Sequence, residues 1–509
     1  MRKNKLLFLY ITFFSYLIST GNAWANGWEH FTIPIENILR DLDSDSAEVR
    51  SKAGNQLGIR KEKIAIPKIL EALSREGITT QERKAFYASL GEIGDNRATT
   101  ALVEALNNEV SPVLRAEAAT ALGQLTDSRI NQILLESFEK DASKMVRLRI
   151  VDGLGKLGDQ AAIPTLVGIL DDEDKDLKVR AIRSLGRLKS QVSVSSLNSL
   201  LLNTKDKKIQ GEIIDSIGAI GHRSSMSVLK VFLPKINDKF LRLRTILAIG
   251  QIKDGDSSKI LNELLEDPSL DVIDFAINGI KKNKFKSSRL PLNKLFKSLH
   301  NRLWSLDTEE ILNNHLFTAK VLKIQTMIVE TLNEIDPINS VDTFSFGSQP
   351  KMITSHSAHS FKINDLIYEL RRISIVALGY TANPDSVKFV IENKYTHDPD
   401  SRIRAAAIRT LGVLQDLSSI NYIIDGLTDD SYLVRLQSAV VLGRLRVDKA
   451  KAPLRLLLSD RHELVRWEAI TALMYLKDEK SLNIIKTIRQ TDPSQRVRTA
   501  ADRFVDFFS

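Results

Sequence analysis

No cysteine occurs in the 509 residues, which excludes disulfide staples, thiolate nucleophiles, iron–sulfur clusters and Cys-ligated zinc. Glycine (24) and proline (13) are both sparse, too few for an all-β chain needing a turn every ~10 residues. Beyond the first 25 residues no uncharged apolar run approaches the ~20 residues of a spanning helix. Catalytic signatures are missing too: there is no G-x-S-x-G elbow, no H-E-x-x-H pair and no G-x-x-x-x-G-K phosphate loop. What remains is 43% hydrophobic and 27% charged, enough apolar material for a buried core and too much for a chain that is mainly disordered. At ~150 residues per domain the length alone would suggest about three globules.

Residues 1–25 read MRKNK, then LLFLYITFFSYLI, an apolar run of 13 residues, then STGNAWA, with Ala23-Trp24-Ala25 as a small-x-small site before Asn26. This is the pattern of a cleaved secretory signal peptide, and it predicts a periplasmic or secreted product. Loss of Arg2, Lys3 and Lys5 with it lowers the formal charge from +9 to +6.

The rest of the chain repeats. The pattern Val-Arg-x-x-Ala-x-x-x-Leu-Gly-x-Leu recurs at 48–59, 113–125, 145–157, 177–188, 402–414, 433–445 and 464–476. Its glycine falls at Gly58, Gly91, Gly123, Gly155, Gly186, Gly218 and Gly250, then at Gly379, Gly412 and Gly443, with Lys281 and Met474 in the same slot. Successive spacings within each run are 31 to 33 residues. Apolar residues at i, i+4 and i+8 make each copy a helix, and stretches such as 161–170 and 451–460 supply a second helix between copies. The turn ahead of each Val-Arg carries aspartate, as in DDEDKDLKVR (171–180) and TDDSYLVR (428–435), suited to capping the following helix.

Aspartate in the turn, then Val-Arg, Ala and Leu-Gly, resembles the HEAT-repeat family, in particular its short bacterial form related to the repeats of phycobilisome lyases. The resemblance spans roughly 34–281 and 366–509 and implies an all-α fold, an α-α superhelix in which stacked helical hairpins bury their apolar faces against their neighbours. The expected organisation is a signal peptide at 1–25, repeats over 26–281, a degenerate segment over 282–365, and repeats again over 366–509. Within the degenerate segment 311–335 keeps helical spacing, while 337–365 is rich in Ser, Thr, Gly and Pro and reads as a long loop. The 98 residues from Lys281 to Gly379 leave room for about three units, so the stack is expected to continue.

Several motifs yield to the repeat. Gly153-Leu154-Gly155-Lys156-Leu157-Gly158 is a literal G-x-G-x-x-G, but a helix precedes it where a nucleotide fold needs a strand. The arginines at 50, 83, 115, 147, 242, 371, 404, 435, 466 and 498 form a column, and the resemblance implies that they pair with turn aspartates. His462-Glu463 is a single His-Glu pair, and His356 and His359 are the only close histidines; neither assembles the converging ligands of a metal site. No catalytic residue, metal or cofactor is expected.

Binding residues follow from the helical geometry. In the helix bearing the slot, apolar positions lie 9, 5, 4 and 1 residues before the glycine, so the opposite face comprises positions 6 before, 3 before and 1 after it. These positions predict a basic patch of Arg149, Lys156, Arg180, Arg183 and Arg187, and an apolar groove of Tyr380, Val413, Val440 and Tyr475 able to take a partner helix or extended peptide. A second basic stretch, Lys281, Lys282, Lys284, Lys286, Arg289, Lys294, Lys297 and Arg302, has no acid between Asp274 and Asp307 and suits an anionic lipid surface or an acidic partner. Nucleic acid is not expected of an exported chain with few stacking aromatics there. The expected function is an exported, non-enzymatic scaffold binding a protein along its concave face; the alternative is a lyase-like or enzyme-accessory protein acting on a cofactor-bearing protein.

Overall fold

Side-chain caps set where the repeated helices begin. Ser46 accepts from the Val49 N–H, Asp174 from those of Asp176 and Leu177, and Asp400 from that of Arg402, while Thr79 and Glu82 form a reciprocal capping box. The computed structural model describes residues 33–508 apart from 351 and 356, so the signal peptide expected at 1–25 lies outside the described residues.

The second helices of the repeats, numbered in chain order, begin with α1 (Ala47–Arg60), α2 (Thr80–Ile93), α3 (Pro112–Leu122) and α4 (Lys144–Leu157). Then come α5 (Lys175–Arg187), α6 (Lys207–Ile220), α7 (Lys239–Gln251) and α8 (Leu270–Asn283). The series continues with α9 (His315–Ile335), α10 (Ala358–Gly379) and α11 (Ser401–Leu414), and ends with α12 (Tyr432–Arg444), α13 (Glu463–Tyr475) and α14 (Gln495–Phe508). First helices such as Thr99–Asn108, Val194–Asn203 and Leu482–Thr491 alternate with them, and no strand occurs among the described residues. The chain divides into two compact units, Met1–Ala248 and Ile249–Ser509. Each is an all-α solenoid of stacked hairpins.

The slot glycines let neighbouring second helices touch backbone to backbone. A methyl group on Gly91 would lie 2.6 Å from the Cα of Ala121, and one on Gly123 2.6 Å from the Cα of Gly153, far inside any tolerable contact. The residue met stands two positions ahead of the next slot and is mostly small: Ser89, Ala121, Gly153, Ser184 and Ser216 in the first unit, Gly279 and Ala472 in the second, with Thr410 and Val441 as the larger exceptions against Gly379 and Gly412. Hydroxyls there turn the approach into a bond. Ser184 Oγ donates to the Val151 carbonyl at 2.8 Å, Ser216 Oγ to that of Ile182 at 2.8 Å, and Thr410 Oγ1 to that of Ile375 at 2.7 Å.

Most of the arginine column pairs with turn aspartates as the resemblance implies, while Arg50 and Arg83 meet Glu82 and Glu109 instead. Arg435 donates Nη1 to the carbonyls of Asp429 and Asp430 in its own turn, and Nε and Nη2 to both carboxylate oxygens of Asp460 in the next turn, at 2.7 and 2.9 Å. Arg115 with Asp141, Arg404 with Asp429 and Arg466 with Asp492 repeat the two-oxygen arrangement. The planar guanidinium fork fits it where an ammonium would not. The G-x-G-x-x-G string is helix then turn, Gly158 capping α4 in the left-handed region at φ 80°.

The segment 282–365 departs from expectation in two respects. It holds the first helix Arg289–Trp304 with α9, and the first helix Val341–Ser348 with α10, so two long repeats stand where about three were expected. Partners across it lie 49 or 50 residues apart, as in Lys281–Glu330 and Asn293–Thr343. The Ser/Thr-rich stretch is also largely helical, and only residues 349–357 separate its two helices. Its hydroxyls and small residues fill packed positions that apolar side chains hold elsewhere. Thr343 donates to Asn293 Oδ1 at 2.6 Å, Ser348 Oγ lies 2.9 Å from the Tyr395 hydroxyl, and Phe344 is fully buried.

Candidate functional site

The basic patch of the first unit is a set of ion pairs as much as a set of cations. Arg180 on α5 binds Asp152 on α4, Arg183 binds both oxygens of Glu212 on α6 at 2.6 and 2.7 Å, and Arg244 on α7 binds Asp215 at 2.9 Å. One rule covers all three: the residue six before the slot pairs with the residue three before the slot on the preceding helix. Burial, and then the charges of Arg149, Arg183 and Arg187, lower the Arg180 pKa, so these four cations share one field. Arg183 holds the Glu212 carboxyl below its ordinary range. Arg149, Lys156 and Arg187 are exposed and form no ion pair among the described residues. Lys156 also lines a cavity of about 370 Å³ with Gln124, Asp127 and Asn131, whose buried Oδ1 has no partner.

In the second unit Tyr380 and Val413 meet at a cavity of about 870 Å³, lined also by Pro384, Val387, Lys388 and Ile391. Arg409 Nη2 reaches the Tyr380 hydroxyl at 3.4 Å. Val440 and Tyr475 lie outside that cavity. Val440 is half-buried on α12, and Tyr475 stands exposed beside Gly443. Phe507 on α14, 32 residues beyond Tyr475, is exposed as well, so the apolar series runs further than expected.

Glu468 is a further residue of this face, one that the apolar pattern of the second unit does not mark. It occupies the position six before the Met474 slot on α13, yet is only 7% exposed and makes no hydrogen bond or ion pair among the described residues. Burial raises its carboxyl to about 7 against the opposing pull of Arg444. The signal was present: Arg180, Glu212 and Arg244 hold the same position.

Half of the basic stretch is neutralised by acids from the neighbouring repeats. Lys281 binds Glu330 and Glu334, Arg289 binds Asp336, Lys294 binds Glu266, and Lys297 lies near Asp342 and over the Phe346 ring. Arg302 stacks on Phe317. Lys282, Lys284 and Lys286 are left exposed without an ion pair among the described residues.

The histidines do structural work. His462 caps α13, its Nδ1 accepting from the Leu464 N–H, and stacks on Tyr432 at 3.8 Å. His359 stacks on His315 at 3.8 Å, and His356 lies outside the described residues. Among the described residues no group of three or more His, Asp or Glu is placed to hold a metal ion, and no helix is long and apolar enough to cross a membrane.

A family model described as HEAT repeats matches residues 35–123, 131–209, 196–280, 363–439 and 420–503. No curated protein matches the sequence. Among solved structures, the complex of CpcE and CpcF of phycocyanin lyase from Nostoc sp. PCC7120 is similar at 18% identity over 48% of this chain and 96% of that one, with a TM-score of 0.33. Kap121p is similar at 12% identity over 93% and 62% of the two chains, with a TM-score of 0.47. For human deoxyhypusine hydroxylase in complex with glycerol the values are 19% identity, 49% and 95% of the two chains, and a TM-score of 0.23.

Proposed function

The chain belongs to the HEAT-repeat family, and we propose that it is an exported, non-catalytic scaffold that holds a protein partner along the concave face formed by its second helices. The observation that carries this reading is the exposed apolar series of the second unit. Tyr380, Val413, Tyr475 and Phe507 are 43%, 38%, 49% and 53% exposed, the first at the C-terminal end of α10 and the others on α11, α13 and α14. A solenoid gains nothing in stability from solvent-facing aromatics repeated in this way, whereas a docked segment would bury them. In the first unit the free cations Arg149, Lys156 and Arg187 supply an attraction for acidic groups of a partner.

The test is crosslinking capture from the cell envelope with the full chain and with the double variant Tyr380→Ala, Tyr475→Ala. The reading predicts a protein retained by the former and lost from the latter. Identical captured sets would remove its support, and fractionation of the mature chain to the cytoplasm would remove the exported part.

A further inference from the structure

Three successive pairs in the first unit follow one rule, position six before the slot to position three before the slot on the preceding helix: Arg180 with Asp152, Glu212 with Arg183, Arg244 with Asp215. In the second unit the rule places Glu468 of α13 opposite Val440 of α12. The carboxylate is there and its cation is not. A valine cannot satisfy it, and Glu468 is more than nine-tenths buried, so water solvates it little.

Glu117 on α3 is the informative contrast. It too lacks a counter-charge, because Ala88 holds the position opposite, but it is half-exposed and keeps its hydration. The charged groups around Glu468 are otherwise occupied or remote. Arg444, one residue past the slot on α12, acts on it through space without bonding it. On α14 Arg498 is bound to the carbonyls of Asp492 and Pro493, Arg496 lies over the Trp467 ring, Asp502 is held by Arg489, and Arg503 is exposed. On its own helix Arg466 is spent on Asp492.

From this we infer that Glu468 is a recognition site for a lysine or arginine side chain of the docked partner, which enters over Val440 and takes the place that Arg183 takes against Glu212. The partner segment is then a basic residue flanked by apolar ones, the latter covering Tyr475 and Val440. Charge complementarity selects it: an ionised carboxylate buried without a counter-charge is costly, and a guanidinium or ammonium brought by the partner removes that cost on binding, so specificity is built in. An acidic or purely apolar segment gains nothing at this position. The inference rests on the proposed docking face of the second unit.

The experiment uses the mature full-length chain as bait for a phage-displayed library of random twelve-residue peptides, followed by affinity measurement with the selected peptides made synthetically. Peptides whose binding weakens at least tenfold on Tyr475→Ala define those that use the face. The expected result is that they share a lysine or arginine at one position and bind the Glu468→Gln variant at least tenfold more weakly. Replacing that basic residue by norleucine then weakens binding to the wild type but not to Glu468→Gln. Val440→Arg, which supplies the missing cation internally, should reject the same peptides while melting at or above the wild-type temperature. Face-dependent peptides with no fixed basic residue, or with equal affinity for Glu468→Gln, would overturn the role of Glu468 and leave the docking face standing. A library that yields no Tyr475-dependent peptide would overturn the docking face and this inference with it.

Discussion

Lys281 and Glu330 stand at the same position of successive repeats and bind each other, Nζ to Oε2 at 2.8 Å. Their separation of 49 residues, repeated from Glu330 to Gly379, shows that the middle of the chain keeps the repeat and lengthens it. Where other repeats use glycine to bring backbones together, this one uses opposite charges at side-chain distance. Lys281→Glu, facing Glu330 and Glu334, is expected to destabilise the second unit by about 1 kcal/mol, since the pair is partly exposed. Adding Glu330→Lys should recover most of that in thermal melts; a double variant no better than the single would contradict a direct pairing.

The arginine column should be far less forgiving. Arg435 and Asp460 are each 7% exposed, and Arg435→Ala leaves a buried carboxylate without its cation, a loss of roughly 3 kcal/mol or more. Arg435→Lys should restore only part of it, because one ammonium cannot bond both carboxylate oxygens and both turn carbonyls. Urea unfolding midpoints of the two variants decide the point.

Acid should unfold the protein through the same column. Burial alone would raise the carboxyls of Asp141, Asp429, Asp460 and Asp492, but the bonds from their arginines outweigh it and leave all four below their ordinary value. Folded values below the unfolded ones mean stability that is fully present above about pH 4 and is lost as pH falls through the folded values. A melting temperature that stays flat from pH 5 down to pH 2 would show that the column contributes little.

Glu468 should act in the opposite sense. Its carboxyl is raised from 4.5 to about 7, so the folded state binds a proton the unfolded state has released. Its contribution is therefore fully present below about pH 4.5 and lost as pH rises to about 7, a change of about 3 kcal/mol at most. Glu468→Gln should remove that slope, so wild type and variant diverge between pH 5 and pH 8 in denaturant midpoints. Parallel curves would mean the carboxyl is solvated.

Gly123 gives the plainest packing test. Gly123→Ala places a methyl group 2.6 Å from the Cα of Gly153, backbone against backbone with nothing soft to yield. A loss of about 2 kcal/mol is expected, whereas Gly168→Ala, which meets nothing within 4 Å, should not destabilise.

What the sequence made legible is what the fold demands of every repeat. Val-Arg and Leu-Gly recur because each repeat needs one fork for a turn aspartate and one place where backbones come close, so Arg404 and Gly443 could be named from pattern alone. The long repeats hid because their period is 49, their slots hold Lys281 and Glu330, and Thr343 and Ser348 fill packed positions. The basic stretch looked unopposed for the same reason: Glu330, Asp336 and Asp342, which answer it, arrive from the next repeat. Glu468 escaped because its meaning lies in the absence of a partner on α12, which appears only once the pairs of the first unit fix where that partner should stand.

The double attachment of each arginine has a consequence for how such a chain can change length. Because Arg404 grips its own turn by two carbonyls and the next turn by a carboxylate, removing a few residues between two turns breaks a bond at one end or the other. Excising one whole hairpin instead presents the arginine with another aspartate at the same reach. Gains and losses are thereby quantised, and a duplicated or deleted segment heals its own seam only when it is one hairpin long.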